Sequence, residues 1–179
     1  MDLAPDAKGK ARRVVIQLMP APFSQGWVGN IRKLAAAKFW DGTSINRVQD
    51  NYVVQWGDAT EKKVLPEDLA VVPEKEYVVD TIYLVGRPVP RLKAERTWQE
   101  SLAVDPYTAR TEHENGWPVA TGKSSGMWPV HCYGMVGVGR NLSPDTGTGA
   151  ELYTVIGHAP RHLDRNIALV GRVIEGIEH

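Results

Sequence analysis

The chain has 179 residues, enough for one domain with a real core, and its 42% hydrophobic and 23% charged residues are ordinary for a soluble globular protein. Lys+Arg and Asp+Glu both number 21, so the formal net charge is zero and recognition of nucleic acid or a membrane surface by bulk charge is disfavoured. A single cysteine, Cys132, excludes an internal disulfide and a multi-cysteine zinc site, and no apolar run approaches the roughly 20 residues of a membrane span.

The first residues, MDLAPDAKGKARR, lack the apolar core of a signal peptide. The basic, glycine-containing stretch Lys8 to Arg13 reads as an exposed turn. Val14 to Leu18 reads as a strand, closed by Pro20 and Pro22. Ser24 is the expected N-cap of a helix running to about Lys38, with Trp27, Ile31, Leu34 and Ala35 as its buried stripe. Gly26 and Gly29 weaken that helix by roughly 1 kcal/mol each relative to alanine. Asp41-Gly42 turns the chain into its most informative stretch, Ile45 to Asp58. Arg47 lies just inside a short strand, Asp50 and Asn51 are turn residues, and Tyr52 to Trp56 is a second strand of β-branched and aromatic types. Alternation puts Val53 and Gln55 on one face and Tyr52, Val54 and Trp56 on the other. An arginine, an amide and apolar side chains gathered this way can hydrogen-bond a peptide backbone and accept a small apolar ring.

From Ala59 to Tyr133 the pattern is poor and broken by prolines at 66, 73, 88, 90, 106, 118 and 129. Tyr77 to Val85 is the expected strand there, Arg91 to Leu102 a helix with sparse apolar positions, and the remainder loop. Gly134 to Val138 is a strand of small residues, Asn141 to Gly149 a loop, Glu151 to Ile156 a strand, and Ile167 to Val173 the last strand. Many strands, one clear helix and long loops imply a mainly β fold, a closed or incompletely closed barrel capped by a helix.

Competing motifs are weak. Gly122 to Gly126 fits G-x-S-x-G around Ser124, but lacks the strand before and helix after that such an elbow requires. Gly116 to Ser124 misses phosphate-loop spacing, and Gly137-x-Gly139 lacks the third glycine of a dinucleotide fingerprint. Adjacent His131 and Cys132 are poorly spaced for joint metal ligation on a strand. Cys132 reads as a small buried apolar side chain, and Tyr52 and Tyr153 as core aromatics with hydroxyls at the rim.

Phe39 to Asp58, FWDGTSINRVQDNYVVQWGD, resembles the signature segment of the cyclophilins, with Asn46 for the usual histidine, Tyr52 for phenylalanine and Trp56 for a glycine. Gly134 to Gly176 resembles the second cyclophilin block. The resemblance implies a peptidyl-prolyl cis-trans isomerase whose β barrel carries two capping helices. It assigns Arg47 as the catalytic arginine and Gln55 as a peptide-binding amide. Tyr52, Val53 and Tyr153 fall at pocket positions, Gly139 and Arg140 at a backbone-binding Ala-Asn pair, and Glu151 at a glutamine, after a loop about one residue longer than the family's. His162 stands where many members carry the tryptophan that contacts cyclosporin. Leu163 matches, and Ile167 replaces a pocket histidine.

The same resemblance makes residues 59–133 a large insertion in one domain. It implies proline-containing polypeptides as substrates, a monomer, a role in protein folding, and neither cofactor nor metal. The alternative is a cyclophilin-like module that binds proline peptides with little catalysis. Met1 to Ala4 reads as the tail of a missing first strand and Val173 to His179 as the approach to an absent second helix, so truncation at both ends and an open barrel seam are expected. The compartment stays open between periplasm and cytoplasm.

Overall fold

The computed structural model describes residues 1–80, 105–122 and 126–179. Asp2–Leu3 (β1) pairs antiparallel with Arg12–Arg13 (β2). The turn between them is fixed by Asp6, whose Oδ1 accepts from the Lys8 and Lys10 N–H groups at 2.8 and 2.9 Å. The basic segment is therefore a turn only in its first half, and Arg12 and Arg13 are strand residues.

Val15–Leu18 (β3) comes next, and after it the helix Gln25–Ala36 (α1). Its start falls where expected, with Ser24 at the N-cap position, but the capping differs. Ser24 is buried in a left-handed conformation, φ 53°, and its side chain caps nothing. Gln25 anchors the turn instead, donating Nε2 to the Met19 and Phe23 carbonyls at 3.1 and 2.7 Å. The buried face is Trp27, Val28, Asn30, Ile31 and Leu34, while Ala35 is exposed, because the stripe ends one residue earlier than the spacing suggests. Gly26 is there for space: a Cβ at that position would meet a Val72 methyl at 2.7 Å. Asn30 exchanges two hydrogen bonds with the Ala70 backbone, and Trp27 stacks on Tyr77 at 5.3 Å and donates to the Thr146 carbonyl at 3.1 Å. The helix thus holds two loops against the sheet.

Ser44–Gln49 (β4) and Val53–Gly57 (β5) form the hairpin read from sequence, with Asn51 at φ 54° in its turn. Asp58 then gathers the chain that follows. Its carboxylate accepts from the Thr60 hydroxyl and from the backbone of Thr60, Lys62 and Lys63, which holds its pKa down at about 2.

The stretch 59–133 holds more order than its prolines suggest. Glu74–Tyr77 is a 3₁₀ turn, so Tyr77 does not begin a strand; Val79 bridges Met127, and residues 81–85 lie outside the described residues. The helix expected over Arg91 to Leu102 also lies outside them. Arg110–Glu114 (β6), Trp117–Thr121 (β7) and Met127–Pro129 (β8) make a three-stranded sheet where a loop was expected. Pro118 accepts from the Val130 N–H at 3.0 Å where the β7–β8 ladder ends, so its missing N–H removes one terminal bond. Pro129 sits on an edge strand of this sheet. The sheet is joined to the main core through Trp117, Val119 and Met127, and Arg172 covers Trp117 at 4.3 Å.

Met135–Val138 (β9), Leu152–Val155 (β10) and Leu169–Glu175 (β11) complete a six-stranded antiparallel sheet in the order β3-β11-β9-β10-β5-β4. β3 and β4 are its edges and no ladder joins them, so the closed barrel does not form among the described residues. The sheet has two working faces. Trp56, Leu152 and Val138 lie opposite one another and belong to the main core under α1. One residue along, Gln55, Tyr153 and Gly137 form the next row and face the other way. Among the described residues no helix is long and apolar enough to cross a membrane.

Candidate active site

The second face carries its own apolar cluster. Val53, Tyr153 and Val155 are buried, and Tyr52, Leu163 and Ile167 pack against them. Cross-strand register explains the first three, since Val155 faces Val53 and Tyr153 faces Gln55. The Tyr153 ring lies across Gly137, where a Cβ would come within 2.2 Å of Tyr153 Cζ. Only glycine leaves that room. Leu163 arrives on a 3₁₀ turn, Arg161–Leu163, and Ile167 on the segment leading into β11.

Polar groups border this cluster. Arg47 on β4 pairs with Gln55 on β5 just past a bulge in the hairpin. Its guanidinium is exposed, lies 5.8 Å from the Tyr52 ring centroid and donates Nη2 to Gln49 Oε1. Gln55 donates Nε2 to Glu151 Oε2 at 3.3 Å, and Asn46 donates to the same oxygen at 3.3 Å. Gly139 donates its N–H to the Glu151 carbonyl at 2.8 Å, which brings β5, the Gly139 backbone and Glu151 to one rim. On another side Tyr52 stacks on His162 with centroids 6.1 Å apart. Arg140 is turned away from the rim and held, donating Nε to the Asn166 carbonyl at 2.9 Å and Nη1 to the Asn141 carbonyl at 2.7 Å. With Asn141, Leu142 and Ile167 it lines a shallow depression beside the cluster.

The family model for cyclophilin type peptidyl-prolyl cis-trans isomerase/CLD matches residues 8–179. The chain belongs to the cyclophilin family. A crystal structure of the cyclophilin AquaCyp293 from Hirschia baltica has the same fold, with a TM-score of 0.68 at 23% sequence identity, over 99% of this chain and 67% of that one. No curated protein matches significantly.

The candidate site residues lie in or around this one cluster. Tyr52, Val53, Tyr153, Leu163 and Ile167 form it or pack on it; Arg47, Gln55, Gly139, Glu151 and His162 border it; Arg140 flanks Ile167. Two expectations fail. The Tyr153 hydroxyl is not at a rim but faces inward, 2.7 Å from Nε2 of the fully buried His131. Burial pushes its pKa well above the ordinary phenol value. Cys132, expected to be buried, is half-buried, and burial raises its thiol pKa.

Sequence reading missed what lies beneath the cluster. His131 Nδ1 is 2.8 Å from Asp164 Oδ1, which also accepts the His131 backbone N–H at 3.0 Å. Asp164 Oδ2 accepts from Arg161 Nε at 2.6 Å, and Arg161 Nη1 is paired with Asp105. Burial lowers the His131 pKa against the opposing pull of Asp164. Burial alone would raise the Asp164 carboxyl, but hydrogen bonds from His131 and Arg161 hold it below the ordinary range. A neutral His131 donating from Nδ1 and accepting at Nε2, beside an ionised Asp164, satisfies every contact. Nothing in the sequence spacing joins these residues.

Proposed function

We propose that this chain catalyses cis-trans isomerisation of X-Pro bonds in polypeptides, with the Val53, Tyr153 and Ile167 cluster taking the proline ring and Arg47 acting on the amide. The observation that carries the reading is the juxtaposition of Arg47 and Gln55, cross-strand partners, at the border of an apolar cluster floored by Tyr153. Rotation about an amide meets a barrier of roughly 18–20 kcal/mol, because planarity preserves resonance. As the bond twists, the proline nitrogen regains its lone pair and becomes an acceptor. A guanidinium aimed at that nitrogen stabilises the twisted form more than either planar isomer, which lowers the barrier. Arginine suits this because it stays charged and presents fixed donors. Gln55 and the backbone near Gly139 are placed to hold the peptide main chain, and Tyr52, His162 and Leu163 to border the residues beside proline.

The step requires no general base, nucleophile or metal, so replacement of a pocket histidine by Ile167 shifts preference among substrates before it stops rotation. The substrates are proline-containing segments of proteins that are folding, and the working unit is a monomer. Residues 59–133 are an insertion within this single domain. The test is exchange NMR on an X-Pro peptide with substoichiometric protein. Faster cis-trans exchange supports the reading; peptide binding with unchanged exchange would make the chain a proline-peptide binding module.

A further inference from the structure

We propose that His131 is a positioning residue that fixes the Tyr153 ring as the floor of the proline pocket, held in turn by Asp164, Arg161 and Asp105. This rests on the isomerase reading above. A tyrosine at a pocket floor has two uses for its hydroxyl: it can face the ligand or be tied off behind. Here it is tied off, 2.7 Å from His131 Nε2, with the two ring planes within 9° of each other and their centroids 6.2 Å apart, edge to edge. The ring face is thereby offered to the cluster while its polar end is satisfied elsewhere, and the pocket keeps apolar character despite the hydroxyl.

The orientation of His131 is over-determined. Its backbone and its Nδ1 both bond one oxygen of Asp164, while the other oxygen is held by Arg161. A neutral histidine whose Nδ1 donates to a carboxylate presents a lone pair at Nε2, which here accepts the Tyr153 proton. Gly137 closes the arrangement from the opposite side by letting the ring lie flat on β9. Arg161 also binds Asp105, which lies in the stretch 59–133, and packs over the Tyr107 ring at 5.8 Å. His131 lies in the same stretch, so the pocket floor is connected to it directly through His131 and a second time through Arg161. Because both planar isomers and the twisted form rest on the same floor, its loosening weakens binding of all three and leaves the rotation step itself alone.

The test separates the two arms of His131 with isosteric amides. Gln places its terminal oxygen near the Nε2 position and can still accept from Tyr153, whereas Asn places its amide near Nδ1 and can reach only Asp164. His131→Gln should keep KM within about twofold of wild type, while His131→Asn and Tyr153→Phe should raise it about five- to tenfold with kcat within about twofold. Tyr153→Phe keeps the core volume and decides the matter if the histidine variants do not fold. Equal KM in all three variants would overturn the proposal, as would a fall in kcat at constant KM. If the wild-type protein accelerates no exchange, the isomerase reading fails, and the same comparison is made on peptide dissociation constants from NMR titration. There, weaker binding by Asn and Phe but not Gln supports the positioning role, and equal binding overturns it.

Discussion

Gly137→Ala is the sharpest structural perturbation available to this fold. A Cβ on Gly137 would lie 2.2 Å from Tyr153 Cζ, 2.3 Å from its Oη and 2.6 Å from Cε1, all inside contact distance. The backbone cannot yield easily, because β9 is paired on both sides, with β10 and β11. The ring must therefore move, and its hydroxyl leaves His131. Overpacking a tight core site costs roughly 1–3 kcal/mol. Separating the buried hydroxyl from its partner adds about 1 kcal/mol. The sum is about 2–4 kcal/mol, which for a chain of this size lowers Tm by about 4–16 °C. Circular-dichroism melts give the shift, and proline-peptide affinity should fall with it because the floor is displaced. Tyr153→Leu should relieve most of the clash, so Gly137→Ala/Tyr153→Leu should be markedly less destabilised than the sum of the singles. A Gly137→Ala protein that melts with wild type and binds peptide equally would refute the close approach of ring and backbone.

Trp27→Phe should cost about 2–3 kcal/mol, because Trp27 is fully buried, the smaller ring leaves a void, and the Nε1 that donates to the Thr146 and Gly147 carbonyls at 3.1 and 3.2 Å is lost; urea midpoints measure it. Folding stability should decline as pH drops below about 6.5, because burial lowers the His131 pKa from that value and the unfolded chain then takes up a proton that the folded chain refuses. Above that pH the contribution is complete. Of the groups facing His131, namely Asp164, Tyr153, Arg161 and His162, the Asp164 carboxylate opposes the shift, and His131→Gln should flatten the slope between pH 7.5 and 5.5 in urea titrations. Arg161→Ala should destabilise more than removal of an exposed arginine, since it leaves the buried Asp164 carboxylate with one fewer donor; a Tm unchanged from wild type would count against the network.

The hairpin from Ser44 to Gly57 was legible because its information is local: alternating apolar residues, a polar turn and a terminal Gly-Asp all act over a few positions. The strands β9, β10 and β11 were legible for the same reason. The helix and its start at Ser24 were found, but the way the start is held was not, because Gln25 reaches backwards to two carbonyls that only the folded turn presents. The three strands between Arg110 and Pro129 were hidden by Pro118 and Pro129, which break strands in general and are harmless at a ladder end and on an edge. The rim and pocket residues followed from motif order along the chain. The His131, Asp164, Arg161 and Asp105 network did not, because its members are separated by up to 59 positions and meet only when the segment between β8 and β9, the chain at Asp105 and the 3₁₀ turn come together.

Arg47→Ala at matched peptide occupancy tests the central claim most directly. Arg47 is exposed and its contacts are to Gln49 and Tyr52, so stability should change by no more than about 0.5 kcal/mol. Exchange NMR on an X-Pro peptide should show turnover reduced about 10²- to 10³-fold, the loss typical of one charge-stabilising donor, with peptide affinity little altered. Equal exchange rates for wild type and Arg47→Ala would contradict the role assigned to the guanidinium.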